Sequence, residues 1–254
     1  MEDNILKLTD YGVIPEGEYT TIQAEKDVRN DGKICAQTIE VGGHATFTDI
    51  VEASTVEING DLTLVGILRA DQIIVRGNVE VTGSIEAGEL VMEGNCTLHD
   101  TVQASKITIK GNVTLDNTLI AEELNVAYNL DGKGEIEAGM MEVGGRIDYH
   151  GCITASSFVA KAYHRGYLSD LRAGKIHITH PSFFRHPTSL IYRDYFTVEN
   201  VECESMYAES TGMSTVTGTN LEFAKRCIVE EVFYLDELTA TENCRLEHVE
   251  KIEQ

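Results

Sequence analysis

The sequence predicts an all-β chain wound as one single-stranded parallel β-helix, a triangular solenoid with a 17-residue turn, and three observations carry that prediction. The first is a repeat. In rows of 17 begun at Lys26, glycine heads five successive rows at Gly43, Gly60, Gly77, Gly94 and Gly111. Alanine stands eleventh in eight successive rows: Ala36, Ala53, Ala70, Ala87, Ala104, Ala121, Ala138 and Ala155. A fixed period of this size is the mark of a solenoid, whose units bury their apolar faces only by stacking.

The second observation is a two-residue step inside each row. Apolar residues pair at columns three and five, nine and eleven, and fourteen and sixteen, as in Leu62/Leu64, Leu68/Ala70 and Ile73/Val75. That step belongs to strands. The third is a polar corner between pairs. One corner is Gly followed by Asp or Asn, as in Gly60-Asp61, Gly77-Asn78, Gly94-Asn95 and Gly111-Asn112. These residue types tolerate the positive φ of a sharp bend. Three strands and three corners per row describe a triangle, each turn hydrogen-bonded to those above and below.

Taken in order, residues 1–25 form an N-terminal capping segment. Ile22 and Ala24 occupy the last two core columns of a preceding row, with Tyr11 and Val13 in the third and fifth. Residues 26–178 form a regular β-helix, strict to 161 and one residue late after 162, where Leu171, Ala173, Ile176 and Ile178 keep the pattern. Residues 179–189 hold Pro181 and Pro187, two of the three prolines, and read as an irregular loop or hinge, because Pro cannot donate to a central ladder. Residues 190–254 form C-terminal turns and a cap. Leu190, Tyr192, Phe196, Val198, Val201 and Cys203 are expected in the six core columns. Val216, Gly218, Leu221 and Phe223 follow in the last four after a three-residue insertion. The next turn is Cys227, Val229, Phe233, Leu235, Leu238 and Ala240.

Composition narrows the function. A net charge of −22 opposes binding to nucleic-acid phosphate or anionic lipid as a whole. No apolar run approaches a transmembrane length, and the acidic start Met1-Glu2-Asp3-Asn4 lacks a signal-peptide pattern. The six cysteines form no Cys-x-x-Cys pair and read as reduced thiols in a cytoplasmic protein.

The 17-residue period, three short strands per turn and the Gly-Asn/Asp corner resemble the bactofilins, over 26–178 closely and over 190–244 loosely. The resemblance implies a right-handed bacterial cytoskeletal β-helix that polymerises end to end without nucleotide. Such filaments position cell-shape, motility or polarity factors. This chain departs from the family in its longer coil and in lacking Pro-rich tails and a basic, hydrophobic N-terminal membrane tag. Peripheral membrane association is left open.

Chemistry is sparse in the sequence, so the expectation is a non-enzyme with no cofactor and no metal. Eight strict turns leave no room for the loops that build a catalytic cleft on pectin-cleaving β-helices. The row is one residue shorter than the three-hexad turn of hexapeptide acyltransferases, and no column collects histidine. His164, His177, His180 and His186 cluster in sequence without a ligand spacing. The Gly-Gly-x-Gly-x-Asp pattern of calcium-binding β-rolls is absent.

Two sites remain. The end turns offer strand edges that another copy can complete, with Tyr11, Val13 and Ile22 at one end and Leu246, Val249 and Ile252 at the other as expected polymer contacts. The second is a basic, aromatic stretch in an acidic chain: Lys161, Arg165, Arg172, Lys175, Arg185 and Arg193, interleaved with Phe183 and Phe184. It reads either as a docking patch for a protein partner or as a plug over a register break with solvated charges. The first reading of function is a self-assembling, bactofilin-like scaffold. The alternative is a non-polymerising adaptor that binds a partner through 161–193.

Overall fold

The computed structural model describes residues 4–161, 165–179 and 196–253. Among these residues there are 21 strands and no helix. The chain divides into two compact units, Met1–Val126 and Ala127–Gln254, and each is a parallel β-solenoid.

The first unit runs from β1 (Ile5–Leu8) to β13 (Thr118–Val126). After β2 (Gly12–Ala24) and β3 (Val28–Val41), each turn has one three-residue strand and one longer strand. Examples are β6 (Leu62–Leu64) with β7 (Ile67–Val75), and β8 (Val79–Val81) with β9 (Ser84–Met92). The period is strict: Ile34, Val51, Leu68, Ile85, Val102 and Leu119 stack turn on turn. All six are buried. The pairs Val56/Ile58, Ile73/Val75, Leu90/Met92, Ile107/Ile109 and Leu124/Val126 form a second buried wall. Leu62/Leu64, Val79/Val81, Cys96/Leu98 and Val113/Leu115 form the third.

The third corner is drawn differently from expectation. It is a bend within the longer strand, where the ladder skips one residue: Ser54, Asp71, Gly88 and Ser105 in successive turns. The alanine column lies just before this skip. Ala53, Ala70 and Ala87 are therefore half-buried at a corner, while Ala104 and Ala121 are buried.

The Gly-Asn corner also works by another mechanism. Positive φ among the described glycines is confined to Gly32, Gly132 and Gly134. The column-one glycines are needed for close approach. A Cβ on Gly77, Gly94 or Gly111 would lie 2.5, 2.3 or 2.1 Å from the carbonyl oxygen of the glycine one turn back. The Asp and Asn that follow form a ladder of their own. The Asn78 backbone N–H donates to Asp61 Oδ1 at 2.6 Å, Asn95 N–H to Asn78 Oδ1 at 3.1 Å, and Asn112 N–H to Asn95 Oδ1 at 3.2 Å. Each corner amide thus finds an acceptor in the preceding turn.

The second unit comprises β14 (Leu130–Gly132), β15 (Glu135–Val143), β16 (Ile147–Lys161), β17 (Gly166–Thr179), β18 (Phe196–Glu209), β19 (Thr211–Ala224), β20 (Ile228–Ala240) and β21 (Arg245–Lys251). Here the step varies. Ile136 pairs with Ile153 at the regular spacing, whereas the next step, Ile153 to Leu171, is one residue longer, the expected slip. The step from Leu171 to Val201 is much longer, because it spans the segment between β17 and β18. The step from Val201 to Val216 is two residues shorter than the regular one.

That short turn corrects the expected columns. Phe196 and Val198 pair with Gly166 and Leu168, so they fill the third and fifth columns rather than the ninth and eleventh. Val201 and Cys203 fill the ninth and eleventh, and Met206 and Ala208 the last two. Val216, Gly218, Leu221 and Phe223 sit where the sequence places them, but there is no insertion before them. The turn saves one residue at the corner between Ala208 and Thr211 and one between Met213 and Val216. Ser210 alone, at φ 50°, joins β18 to β19. Its hydroxyl donates to the Lys225 carbonyl at 2.7 Å. Buried Thr211 donates to the Glu209 carbonyl at 2.9 Å.

A bulge makes another correction. Val216 pairs with Val232 and Gly218 with Tyr234, before the register shifts and Leu221 meets Leu238. Val232 is the buried residue, and Phe233 and Leu235 are not core. Of the expected 179–189 loop, Thr179 closes β17. Residues 180–189, with Leu190 and Tyr192, lie outside the described residues.

Candidate assembly edges

A solenoid turn in the interior of a stack hydrogen-bonds on both sides, whereas a terminal turn has one ladder unfilled. In the first unit, β1 pairs through Leu6↔Ile22 and Leu8↔Ala24, and Gly12–Tyr19 of β2 pairs with Val28–Ala36. Among the described residues nothing pairs with the outer side of either segment. Pairing sets the core here too. Gly12 stands over Val28 and Ile14 over Asn30, so Ile14 is buried while Tyr11 and Val13 lie one residue out of the core columns. The cause is a step one residue short of the regular spacing, ahead of the bulge at Pro15/Gly17. Ile22 is fully buried beneath Leu6 and is not part of the edge. Tyr11, 66% exposed, and Ile5, 48% exposed, form its apolar surface. Pro15 lies on this edge, where a missing N–H is tolerated.

In the second unit the last strand is β21. Val229 pairs with Leu246 and Val232 with Val249. Buried Val232 is thus covered by Val249, itself 43% exposed. Leu246 and Ile252 are half-buried, and the Ile252 N–H donates to the Tyr234 carbonyl at 2.9 Å. The three C-terminal residues expected at an edge are all there. Side chains tie β21 down: Lys251 Nζ sits 5.7 Å over the Tyr234 ring, and His248 meets Phe233 edge-on. Both edges are acidic. Residues 236–253 carry Asp236, Glu237, Glu242, Glu247, Glu250 and Glu253 against Arg245 and Lys251. Residues 4–19 carry Asp10, Glu16 and Glu18 against Lys7.

The described members of the basic stretch do not converge on one patch. Lys161 Nζ pairs with Glu142 at 2.8 Å, and Arg172 Nε with Glu202 at 3.4 Å. Arg172 points outward between buried Leu171 and Ala173, whereas Lys175 lies beyond the next corner, ahead of buried Ile176. Arg165 is exposed just before β17. Arg185, Arg193, Phe183 and Phe184 lie outside the described residues, as do His164, His180 and His186.

Sequence reasoning missed a shallow furrow on the second unit, about 470 Å³, bordered by Lys175, His177, Tyr207, Asn220, Glu222 and Glu237. His177 stacks on Tyr207 with ring centroids 5.0 Å apart. The Tyr207 hydroxyl donates to buried Glu209 at 2.6 Å, which pushes the phenol up to about 12. Lys225 Nζ approaches the same carboxylate at 2.6 Å. The furrow joins residues of β17, β18, β19 and β20, and only the irregular steps of the second unit align them. Among the described residues no group of three His, Cys, Asp or Glu is arranged to hold a metal ion.

No protein-family profile matches the chain, and no curated protein or solved structure matches it either.

Proposed function

We propose that this protein is a structural scaffold whose copies associate through the terminal strand edges, in the manner its resemblance to the bactofilins implies. The observation that carries this reading is the pair of edges. Each leaves a strand ladder unfilled among the described residues and exposes apolar side chains, Ile5 and Tyr11 at one and Val249 at the other. A parallel edge filled by a second copy gains backbone hydrogen bonds and covers those residues. Assembly is opposed by the acidic charge at both edges, so it strengthens with salt. The Debye length falls from about 10 Å at 0.1 M to about 3 Å at 1 M, which screens the repulsion and leaves apolar contact intact.

The test is electron microscopy and sedimentation of the purified chain, without nucleotide, from low to high salt. The reading expects oligomers or filaments whose population rises with salt and which Val249→Glu abolishes without changing the circular dichroism. Discrete single molecules at every salt and protein concentration would refute it. The adaptor reading is less well supported, because two of its basic residues are neutralised by neighbouring carboxylates and the described members do not converge.

A further inference from the structure

Two of the six cysteines stand one above the other in consecutive turns. Ile228 pairs with Arg245, and the Arg245 N–H donates to the Cys227 carbonyl at 2.8 Å. Cys227 and Cys244 are therefore ladder neighbours. Their thiols also sit alike. Cys227 Sγ lies 3.3 Å from the Ala224 carbonyl, and Cys244 Sγ lies 3.4 Å from Thr241 Oγ1, in both cases three residues back. No other two cysteines among the described residues are register neighbours. Cys96 is flanked by Val79 and Val113, Cys203 by Ala173 and Gly218, Cys35 by Glu18 and Glu52, and Cys152 by Glu135 and Asp170.

We propose that Cys227 and Cys244 are an oxidation site, a dithiol that closes to an intrachain disulfide and latches β21 onto β20. Ladder neighbours lie about 4.8 Å apart, within the Cα separation of disulfides, roughly 4.4–6.8 Å. Their Cβ atoms must still draw in to about 4 Å, so the bond forms under strain and is easily reduced. That makes it a reversible latch rather than a permanent staple. All six cysteines are free thiols in this structure.

The chemistry balances with a small-molecule disulfide of the glutathione class as oxidant. Cys244, half-buried in the last turn, is the accessible thiol, while Cys227 is fully buried. The Cys244 thiolate attacks one sulfur of the oxidant, forms a mixed disulfide and expels one small thiolate. Cys227 then loses its proton to solvent, attacks Cys244 Sγ and expels the second. Two protein thiols and one small disulfide become one protein disulfide and two small thiols. Burial, joined by the neighbouring Cys244 thiol, pushes Cys227 up to about 11, so the closing step is slow near neutrality and quickens with pH.

The test uses the full reduced chain and glutathione disulfide, read by intact mass, peptide mapping and tryptic cleavage after Arg245 and Lys251. The expected result is loss of two hydrogens, a peptide joining Cys227 to Cys244, and cleavage slowed by more than about tenfold, all reversed by dithiothreitol. Cys227→Ser should stop at a glutathione adduct on Cys244. A wild-type chain that stops at that adduct, or links any other cysteines, would overturn the proposal. So would a link that forms only in denaturant. A 227–244 link that leaves cleavage unchanged would remove the latch.

Discussion

Replacing Gly77 by alanine puts a methyl group where the neighbouring turn already stands. The added Cβ would lie 2.5 Å from the Gly60 carbonyl oxygen, from its carbon and from Asp61 Oδ1. Two of those atoms are backbone, so the corner itself must move. Moving it breaks the Gly77 N–H bond to Gly60 O at 3.1 Å and the Asn78 N–H bond to Asp61 Oδ1 at 2.6 Å. Each bond is worth about 1 kcal/mol net, and forced repacking adds about 1–3, so the variant should lose about 3–5 kcal/mol. Gly212→Ala is the control. Its Cβ would meet nothing closer than Thr197 Oγ1 at 3.7 Å, and it should gain about 0.4–1 kcal/mol from the stiffer unfolded chain. Urea unfolding followed by circular dichroism separates the two through their midpoints at constant slope. Gly77→Asn decides the mechanism. Asparagine tolerates positive φ, so a conformational requirement predicts rescue, whereas crowding predicts a loss at least as large as that of alanine. A Gly77→Ala midpoint within about 0.5 kcal/mol of the parent, or rescue by asparagine, would refute the steric account.

Three further outcomes follow from the same ladders. Asn95→Ala removes the acceptor of the Asn112 N–H and Nδ2, at 3.2 and 2.8 Å, and should cost about 1–2 kcal/mol in urea unfolding. Asn95→Asp should recover most of that, as Asp61 serves Asn78. Arg69 lies between Glu52 at 3.6 Å and Glu86 at 3.0 Å. Lys33 chiefly holds Glu52, and Arg69 chiefly holds Glu86, below the ordinary carboxylate value of 4.5. Their contribution to stability is complete above 4.5 and is lost as pH falls through the lowered folded values. NMR titration of Arg69→Gln should show Glu86 rising more than Glu52, and equal shifts would contradict these pairings. In the second unit, Lys225→Met leaves Glu209 buried without that cation and should cost about 1–3 kcal/mol, against little for Lys106→Met, whose pair with Glu123 is half exposed on both sides.

The regular part of the fold is legible because one residue type recurs in one place for one reason. Leu68 can be assigned to the core without knowing Leu64, since Ile34, Val51, Ile85, Val102 and Leu119 repeat it. Where the repeat lapses, periodicity loses its authority. Phe196 and Val198 fit two different sides of a turn equally well as a two-step apolar pair. Their pairing with Gly166 and Leu168 below and with Thr211 and Met213 across a shortened step decides between them. Phe233 outranks Val232 in bulk and is the natural choice for the core on sequence, yet a bulge after Gly218 leaves it outside. The edges divide in the same way. Leu246, Val249 and Ile252 follow an intact regular step from β20 and lie where the sequence puts them. Tyr11 and Val13 follow a step one residue short and are not core, and Ile22 is covered by a strand too short to advertise itself as a turn. The Gly-Asn corner is easy to locate and hard to interpret, because residue type alone does not distinguish positive φ from lack of space.

The constancy of the step in the first unit bears on how that unit tolerates change in length. Deleting one residue from β7 ahead of Ile73 would turn one side of its turn inside out, exchanging Ile73 and Val75 for Ile74 and Arg76 and so placing a charge in the core. Deleting residues 61–77 removes a whole circuit and brings Gly60 directly before Asn78. The seam reads Gly-Asn, as at the corners above it, and Val56 is followed above by Leu90 where Ile73 stood. Duplication of the same stretch is equally silent. For this half of the molecule the unit of viable insertion or deletion is one complete circuit, and the larger lesion is the gentler one.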